Sequence, residues 1–355
     1  MKQDYQKSPD SLESRLDALF KSQMDSEVDS KAIVEQTLAK IRRERVRRRA
    51  RIGWVSSLSV AASVFIGLAA YYLAVMPEKV EHADLRQLAG CMSEGVCNTE
   101  HVMLITPDKQ LWLSENALVQ YDAQGTAQVN GKDALKSDTP DEVYCQLVVP
   151  AGKRARLQLA DGTLLTLNAM SRVVYPQKFE GAERRIYAEG EVYLEVAPNK
   201  AHPFIVESSD FDLRVLGTKF NISTYKELKE TQIVLVEGSV EVTESSGRTK
   251  AVLKPDELLS LEKGRITDCR QVDASDYISW TKGWLHLKGE LLTEIVKRLS
   301  IHYGVGITCK TSAGSKKMYG KLELKEDYKD VLDCIRQIVP LEVHYDGKNV
   351  ELRDN

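Results

Sequence analysis

Residues Ile52 to Met76 read IGWVSSLSVAASVFIGLAAYYLAVM, a run without a single charged side chain. About 20 apolar residues cross the hydrocarbon core of a bilayer as a helix, rising about 1.5 Å each. A helix also satisfies its own backbone polar groups where no water can do so. Trp54, Tyr71 and Tyr72 stand near the ends of the run, where amphipathic rings favour the headgroup zone. Ahead of it lies KIRRERVRRRAR (40–51), in which Lys40 and the arginines Arg42, Arg43, Arg45, Arg47, Arg48, Arg49 and Arg51 face the single Glu44. Behind it comes PEKVEHAD, mixed and mainly acidic. These arginines set the topology, with the N-terminus in the cytoplasm and everything after Met76 exported. A cleaved signal peptide has a short, terminal charged region, whereas 51 residues precede this run. A buried core helix without charge on any face is uncommon.

The net charge of −3 hides an asymmetry: residues 1–51 carry 13 basic against 9 acidic side chains. That excess sits at the membrane edge, where anionic lipid attracts each cation by roughly 1 kcal/mol. Its position against the span accounts for it without nucleic acid. All six cysteines, Cys91, Cys97, Cys145, Cys269, Cys309 and Cys334, follow the span, in a compartment that permits disulfides. Cys91 and Cys97 close the short loop GCMSEGVC and are the pair best placed for a bridge, with free thiols as the alternative. Leu88-Ala89-Gly90-Cys91 imitates a lipoprotein cleavage box, but the charged EKVEHADLRQ before it is no apolar signal.

The spacing of Leu12, Leu16, Leu19 and Phe20 predicts a short amphipathic helix over 11–21. A second stripe, Ile33, Val34, Thr37, Leu38, Ile41 and Val46, runs into the arginines. A piece this small buries both stripes poorly on its own, so a partner groove suits them, with a self-associating or membrane-lying stalk as the alternative.

After a linker over 77–101, the pattern turns to strands. Residues 102–121 and 156–175 form a weak repeat, each with a hairpin turn, at Pro107-Asp108 or at Asp161-Gly162, and an apolar return ending in Tyr. Asp-Gly between alternating apolar runs is a strong hairpin signal and predicts a type I′ turn. Further on, alternation is interrupted by Gly190, Gly217 and Gly238, with a fainter copy at Gly264. Glycine within a strand pattern marks a bend or bulge. Recurring bends predict an all-β domain over 102–272, solenoid-like or a sandwich. From 273 to 355 the expected order is β-α-β-β-α-β-β, a small α+β domain. Its first helix places Leu291, Leu292, Ile295, Val296 and Leu299 on one face and stops at Gly304; its second spans 328–338. The fold class is therefore mainly β, with a short helical cytoplasmic segment and one membrane helix over 52–76.

No phosphate loop, GxSxG, HExxH or paired CxxC occurs. The histidines His82, His101, His202, His286, His302 and His344 are scattered without metal-ligand spacing. Glu189, Glu191 and Glu195 alternate and read as the solvent face of a sheet, not as a catalytic pair. The residues imply no metal, no cofactor and no enzyme.

VPAGKRARLQLADGTLLTLNAMSRVVYP, EGEVYLEVA, HPFIVES, VLGTKFNISTY and VLVEGSVEV, in this order after one span, resemble the FecR family of ferric-citrate-sensor-type anti-sigma regulators in its Bacteroidetes form. The α+β tail is similar to the short domain at the N-terminus of secretins and TonB-dependent transporters. The resemblance implies an inner-membrane protein whose N-terminus holds an extracytoplasmic-function sigma factor. The exported part would sense an outer-membrane TonB-dependent transporter, and sigma release would switch on uptake genes. It also implies regulated proteolysis in or beside the membrane as a route of release, which adds an intramembrane protease to the partners. Leu12, Leu16, Leu19, Phe20, Ile33, Val34, Leu38 and Ile41 would then form the sigma contact, while the transporter would meet the tail or an exposed β edge. The alternative is an anchored periplasmic scaffold or ligand-binding protein with no sigma-factor role.

Overall fold

The computed structural model of the protein describes residues 15–21, 35–40, 42–43, 67, 71, 84–91, 100–135, 144–310, 312–347 and 349–354. They fall in two units, Met1–Val80 and Glu81–Asn355. In the first, residues 15–21 and 35–40 are helical. The expected span 52–76 lies outside the described residues apart from Gly67 and Tyr71, both helical. Among the described residues no helix is long and apolar enough to cross a membrane.

The second unit is built mainly of strands. One sheet contains β1 (Val102–Ile105), β2 (Gln110–Leu113), β6 (Tyr144–Val149), β9 (Ser171–Pro176), β10 (Arg184–Glu189), β12 (Phe204–Glu207), β13 (Phe211–Val215), β16 (Val240–Glu244) and β17 (Lys250–Leu253). The other contains β3 (Leu118–Tyr121), β4 (Ala127–Val129), β5 (Lys132–Leu135), β7 (Ala155–Gln158), β8 (Leu164–Leu167), β11 (Glu191–Glu195), β14 (Lys219–Ser223), β15 (Thr231–Glu237), β18 (Glu257–Glu262) and β19 (Arg265–Gln271). Inward side chains such as Leu147, Val206 and Leu213 meet Leu165, Val192, Leu194 and Phe220 in one continuous core. Burying each such side chain stabilises the sandwich by about 1.5–3 kcal/mol.

The chain alternates between hairpins and crossings. From β12 onward each hairpin adds two strands to one sheet, and the next hairpin adds two to the other. The stack therefore grows like a solenoid while closing as a sandwich. Gly190, Gly217 and Gly238 are the crossings β10–β11, β13–β14 and β15–β16, whereas Gly264 turns a hairpin within one sheet. Gly190 needs to be glycine twice over. Its φ is +93°, and a Cβ there would come within 2.7 Å of the Met170 carbonyl oxygen and 2.6 Å of Ser171 Cα. The weak repeat has a structural counterpart: β1–β2–β3 and β7–β8–β9 follow the same local path, but each begins in the sheet where the other ends.

The turn at Asp161-Gly162 departs from the type I′ expectation. Only Gly162 has positive φ, +86°, and its N–H donates to the Leu159 carbonyl at 2.9 Å. The hairpin therefore closes through a type I turn followed by a left-handed glycine. The cause is Asp161, whose carboxylate accepts from the Thr163 N–H at 2.9 Å and its hydroxyl at 2.7 Å. The same carboxylate pairs with the buried Arg184 at 2.5 Å.

Part of the expected linker is structured. Helix α1 (Leu85–Cys91) sets Leu85 and Ala89 against Val174 and Tyr187 on the outer face of the first sheet. Arg86 donates to the Ser208 carbonyl at 2.7 Å and pairs with Asp212 at 2.6 Å, while Arg172 donates to the Ala89 carbonyl at 2.9 Å.

After β19, the one-turn helix α2 (Ala274–Tyr277) leads to the tail: β20 (Trp284–Leu291), α3 (Leu292–Tyr303), β21 (Gly306–Cys309), β22 (Lys317–Glu323), α4 (Tyr328–Ile338), β23 (Leu341–Asp346) and β24 (Asn349–Asp354). This is the expected order. Strands β20 and β22 pair, and β24 lies between β21 and β23. Leu292, Ile295, Val296 and Leu299 form the buried face of α3, but Leu291 is its exposed N-cap rather than part of that face. Asp327 caps α4 by accepting from the Lys329 N–H at 2.9 Å.

Candidate functional site

The tail lies against the outer face of the second sheet. Trp280, just before β20, is fully buried in the tail core, and Tyr193 of β11 packs against the same cluster. Arg154, in the β6–β7 connection, donates to the Trp280 carbonyl at 2.8 Å. The Gly152 N–H donates to the carbonyl of His302 at 2.6 Å. Close approach there depends on Gly304, where a Cβ would lie 2.6 Å from the Ala151 Cβ.

Beside these contacts the two parts leave a cleft of about 470 Å³, within the range of about 300–1,000 Å³ common for small-molecule sites. The sandwich supplies Asn168, Glu191, Asn221, Ser223 and Tyr225; the tail supplies Glu290, Glu294, Lys297, Arg298, Ile301 and His302.

Glu191 corrects the sequence expectation. Only 9% of it is exposed, for two reasons. The crossing at Gly190 puts Glu189 and Glu191 on different sheets, and the outer face that Glu191 shares with Asn221 and Tyr193 is covered by the tail. Glu189 is instead partly buried against Arg172 at 2.7 Å, and Glu195 is the most exposed of the three.

Two amides hold Glu191. Asn168 Nδ2 donates to Oε2 at 2.7 Å and Asn221 Nδ2 donates to Oε1 at 3.2 Å. Burial raises the Glu191 pKa from its ordinary value; the charge of Arg298 and the two amides oppose that rise. Glu290 is likewise raised, by burial first, with Arg298 opposing. Arg298 Nη1 holds Glu290 loosely, 3.4 and 3.5 Å from its oxygens. His302 is pushed down to about 4 by burial and by the charge of Arg154, so the ring is neutral near pH 7. Its Nδ1 is buried without a hydrogen-bond partner.

The other expected site residues lie elsewhere. Leu16, Leu19, Phe20 and Leu38 are exposed on the described helical turns, as are Arg42 and Arg43. Leu12, Ile33, Val34, Ile41, Arg45, Arg47, Arg48, Arg49 and Arg51 fall outside the described residues. Cys91 is exposed and unbridged at the end of α1, and Cys97 lies outside the described residues. Among the described residues no three His, Cys, Asp or Glu side chains gather to hold a metal ion. His202 lies in a turn, where its ring Nδ1–H donates to the Gly181 carbonyl at 3.0 Å, and His286 pairs with Asp276 at 2.6 Å.

Both walls of the cleft fall in segments that match known families. Residues 146–241 match the family FecR protein, and residues 284–352 match FecR, C-terminal. The chain thus carries a FecR segment and a FecR C-terminal segment. Its FecR segment supplies Asn168, Glu191 and Asn221, and its FecR C-terminal segment supplies Glu290, Arg298 and His302. Among solved structures, a candidate anti-sigma factor from Parabacteroides distasonis is 25% identical with a TM-score of 0.53, over 59% of this chain and 99% of that one. A second crystal structure under the same description and from the same organism is 24% identical with a TM-score of 0.52, over 60% and 99%. None of the curated proteins matches the chain.

Proposed function

We propose that this chain is a single-pass inner-membrane anti-sigma factor of the FecR family. The reading is carried by one observation: a FecR segment and a FecR C-terminal segment are packed in one compact unit, and a basic stretch and an apolar run of membrane-spanning length precede them. The similarity to an anti-sigma candidate of Parabacteroides distasonis supports the same role.

In this scheme Leu12, Leu16, Leu19, Phe20, Ile33, Val34, Leu38 and Ile41 contact an extracytoplasmic-function sigma factor in the cytoplasm. Residues 52–76 cross the bilayer, and Arg42 to Arg51 engage anionic lipid on the inner side. The unit after residue 80 lies in the periplasm and reads the state of a TonB-dependent transporter through the transporter's signalling domain. An intramembrane protease is one route by which the sigma factor leaves. Binding of two partners is coupled only if each distinguishes the same two states of the chain.

The test is co-purification of the tagged full-length chain from membranes, with and without residues 1–51, alongside a transcription reporter for the neighbouring uptake genes. The reading expects a sigma factor to follow the full chain and to be lost with residues 1–51. Recovery of no sigma factor, with transcription unchanged by the deletion, would favour the anchored scaffold instead.

A further inference from the structure

The amide orientations around Glu191 are set independently of Glu191 itself. Asn168 Oδ1 accepts the Ala169 N–H at 2.9 Å, so its Nδ2 must be the atom facing the carboxylate. Asn221 Oδ1 accepts the Trp280 indole N–H at 3.2 Å, which fixes the second amide the same way. Each carboxylate oxygen therefore receives one bond, and each donor is neutral. A carboxylate offers about four acceptor positions, so about two remain. Arg298 acts on Glu191 through its charge, without a hydrogen bond between them.

Three further groups line the same cleft. The Nδ1 of His302, on a side chain more than nine-tenths buried, has no partner. Glu290 adds a second carboxylate raised by burial. Arg298, tied to Glu290 only at 3.4–3.5 Å, is a planar fork suited to a carboxylate in bidentate geometry. One wall thus presents an acceptor with spare capacity and the other a loosely held donor fork, around a space of ligand size between two packed parts of the chain.

We propose that this cleft is a binding site for a small zwitterion, an amino acid or a short peptide, whose ammonium group meets Glu191 and whose carboxylate meets Arg298. Such a ligand touches the sandwich and the tail at once, so its binding strengthens their association. The proposal is independent of the sigma-factor reading, because none of its readouts involves a sigma factor.

The experiment is isothermal titration of the full-length chain in detergent micelles with the standard free amino acids and with alanyl-alanine. N-acetylated and C-amidated forms of each binder serve as controls. At least one probe is expected to bind with Kd below ~1 mM. Acetylation or amidation of that probe should weaken it about ten-fold or more, because either change strands a buried charged group. Glu191→Gln and Arg298→Met should each weaken it to the same degree. Arg298→Met removes a head group that is only partly buried, so it remains informative if Glu191→Gln fails to fold. A free amino acid that binds more tightly than alanyl-alanine identifies the smaller ligand, and the reverse order identifies the peptide. Failure of every probe to bind, equal binding of the acetylated or amidated form, or wild-type affinity in Arg298→Met overturns the proposal.

Discussion

Trp280 donates its indole N–H to the side-chain oxygen of Asn221 at 3.2 Å, and so joins the tail to a polar row on the sandwich that runs through Glu191 to Asn168. The bond is intermediate in length, but its setting gives it weight. Trp280 is 0% exposed, so both indole and amide have given up water to make it. Leaving one of them unpaired costs about 1–3 kcal/mol.

Two substitutions separate the bond from the packing. Trp280→Phe keeps most of the ring volume and removes the donor, and it should destabilise the unit by about 1–3 kcal/mol. Trp280→Ala also empties the space and should cost about 3–5 kcal/mol. Denaturant unfolding followed by near-ultraviolet circular dichroism measures both. A Trp280→Phe protein as stable as wild type would mean that the indole bond contributes nothing, and equal losses in both variants would mean that the ring packing contributes nothing.

Glu191 predicts a pH dependence whose direction follows from burial. Its folded pKa is raised above the ordinary value of 4.5, so the folded state prefers the protonated acid. The stability this residue contributes is full below about pH 4.5 and is lost as pH rises through the raised folded value. Glu191→Gln cannot ionise, although its amide is poorly matched to the two donors. The stability of the variant relative to wild type should therefore climb with pH, by at most about 1.4 kcal/mol per pH unit. Thermal midpoints of both proteins from pH 4 upward test it, and parallel curves would show that Glu191 does not titrate in this way.

His302 should behave in the opposite sense. Its pKa falls from 6.5 to about 4 on folding, so its contribution is full above about pH 6.5 and is lost as pH falls toward 4. A His302→Gln protein should lose less stability than wild type over that acid range. The difference between their midpoints at pH 7 and pH 4.5 is the measurement.

Much of the sandwich was legible because alternation and glycine placement are local signals. The turns at Asp161-Gly162, Gly190, Gly217 and Gly238 all fall where the strand patterns break, and the strand and helix order of the tail follows from periodicity alone. The cleft was not legible. Alternation correctly sets Glu191 on the outward face of β11, but it carries no information about what covers that face. The cover is the tail, whose key residue Trp280 sits in the mixed stretch DYISWTKGW, where no period marks a buried side chain. Asp161 shows the same limit. Its turn role is written in its neighbour Gly162, whereas its pairing with Arg184 depends on residues 23 positions apart coming together. Helix α1 was missed because two turns around Leu85, Leu88 and Ala89 are too short to stand out from a charged linker.

Gly190 and Gly162 both have positive φ, at +93° and +86°, and they isolate the effect of space. An alanine at Gly162 meets nothing within 4 Å, so Gly162→Ala should cost about 1–2 kcal/mol, the left-handed strain alone. At Gly190 the new Cβ would press on Ser171 and the Met170 carbonyl, and the loss should reach about 3 kcal/mol or more. Denaturation midpoints rank the two. A Gly162→Ala effect as large as that of Gly190→Ala would show that crossing between the sheets imposes no close approach.

Arg86 carries the last prediction, at the point where the chain enters the folded unit. Its guanidinium donates to the Ser208 and Phe211 carbonyls and pairs with Asp212, while Leu85 and Ala89 pack on Val174 and Tyr187. The ion pair is partly exposed and is worth little by itself; the bonds to fixed carbonyls orient the helix. Arg86→Ala should therefore weaken the docking of α1 by about 1 kcal/mol without unfolding the sandwich. Amide hydrogen exchange would show this as about five-fold faster exchange at Leu88, with the amides of β9 and β12 unchanged. Under the proposed topology α1 is where movement of the sensor reaches the membrane segment, so the same variant should also blunt the transcriptional response to inducer. Faster exchange with a full response would place the coupling elsewhere. An unchanged exchange rate would mean that the apolar pair Leu85 and Ala89 holds α1 without the arginine.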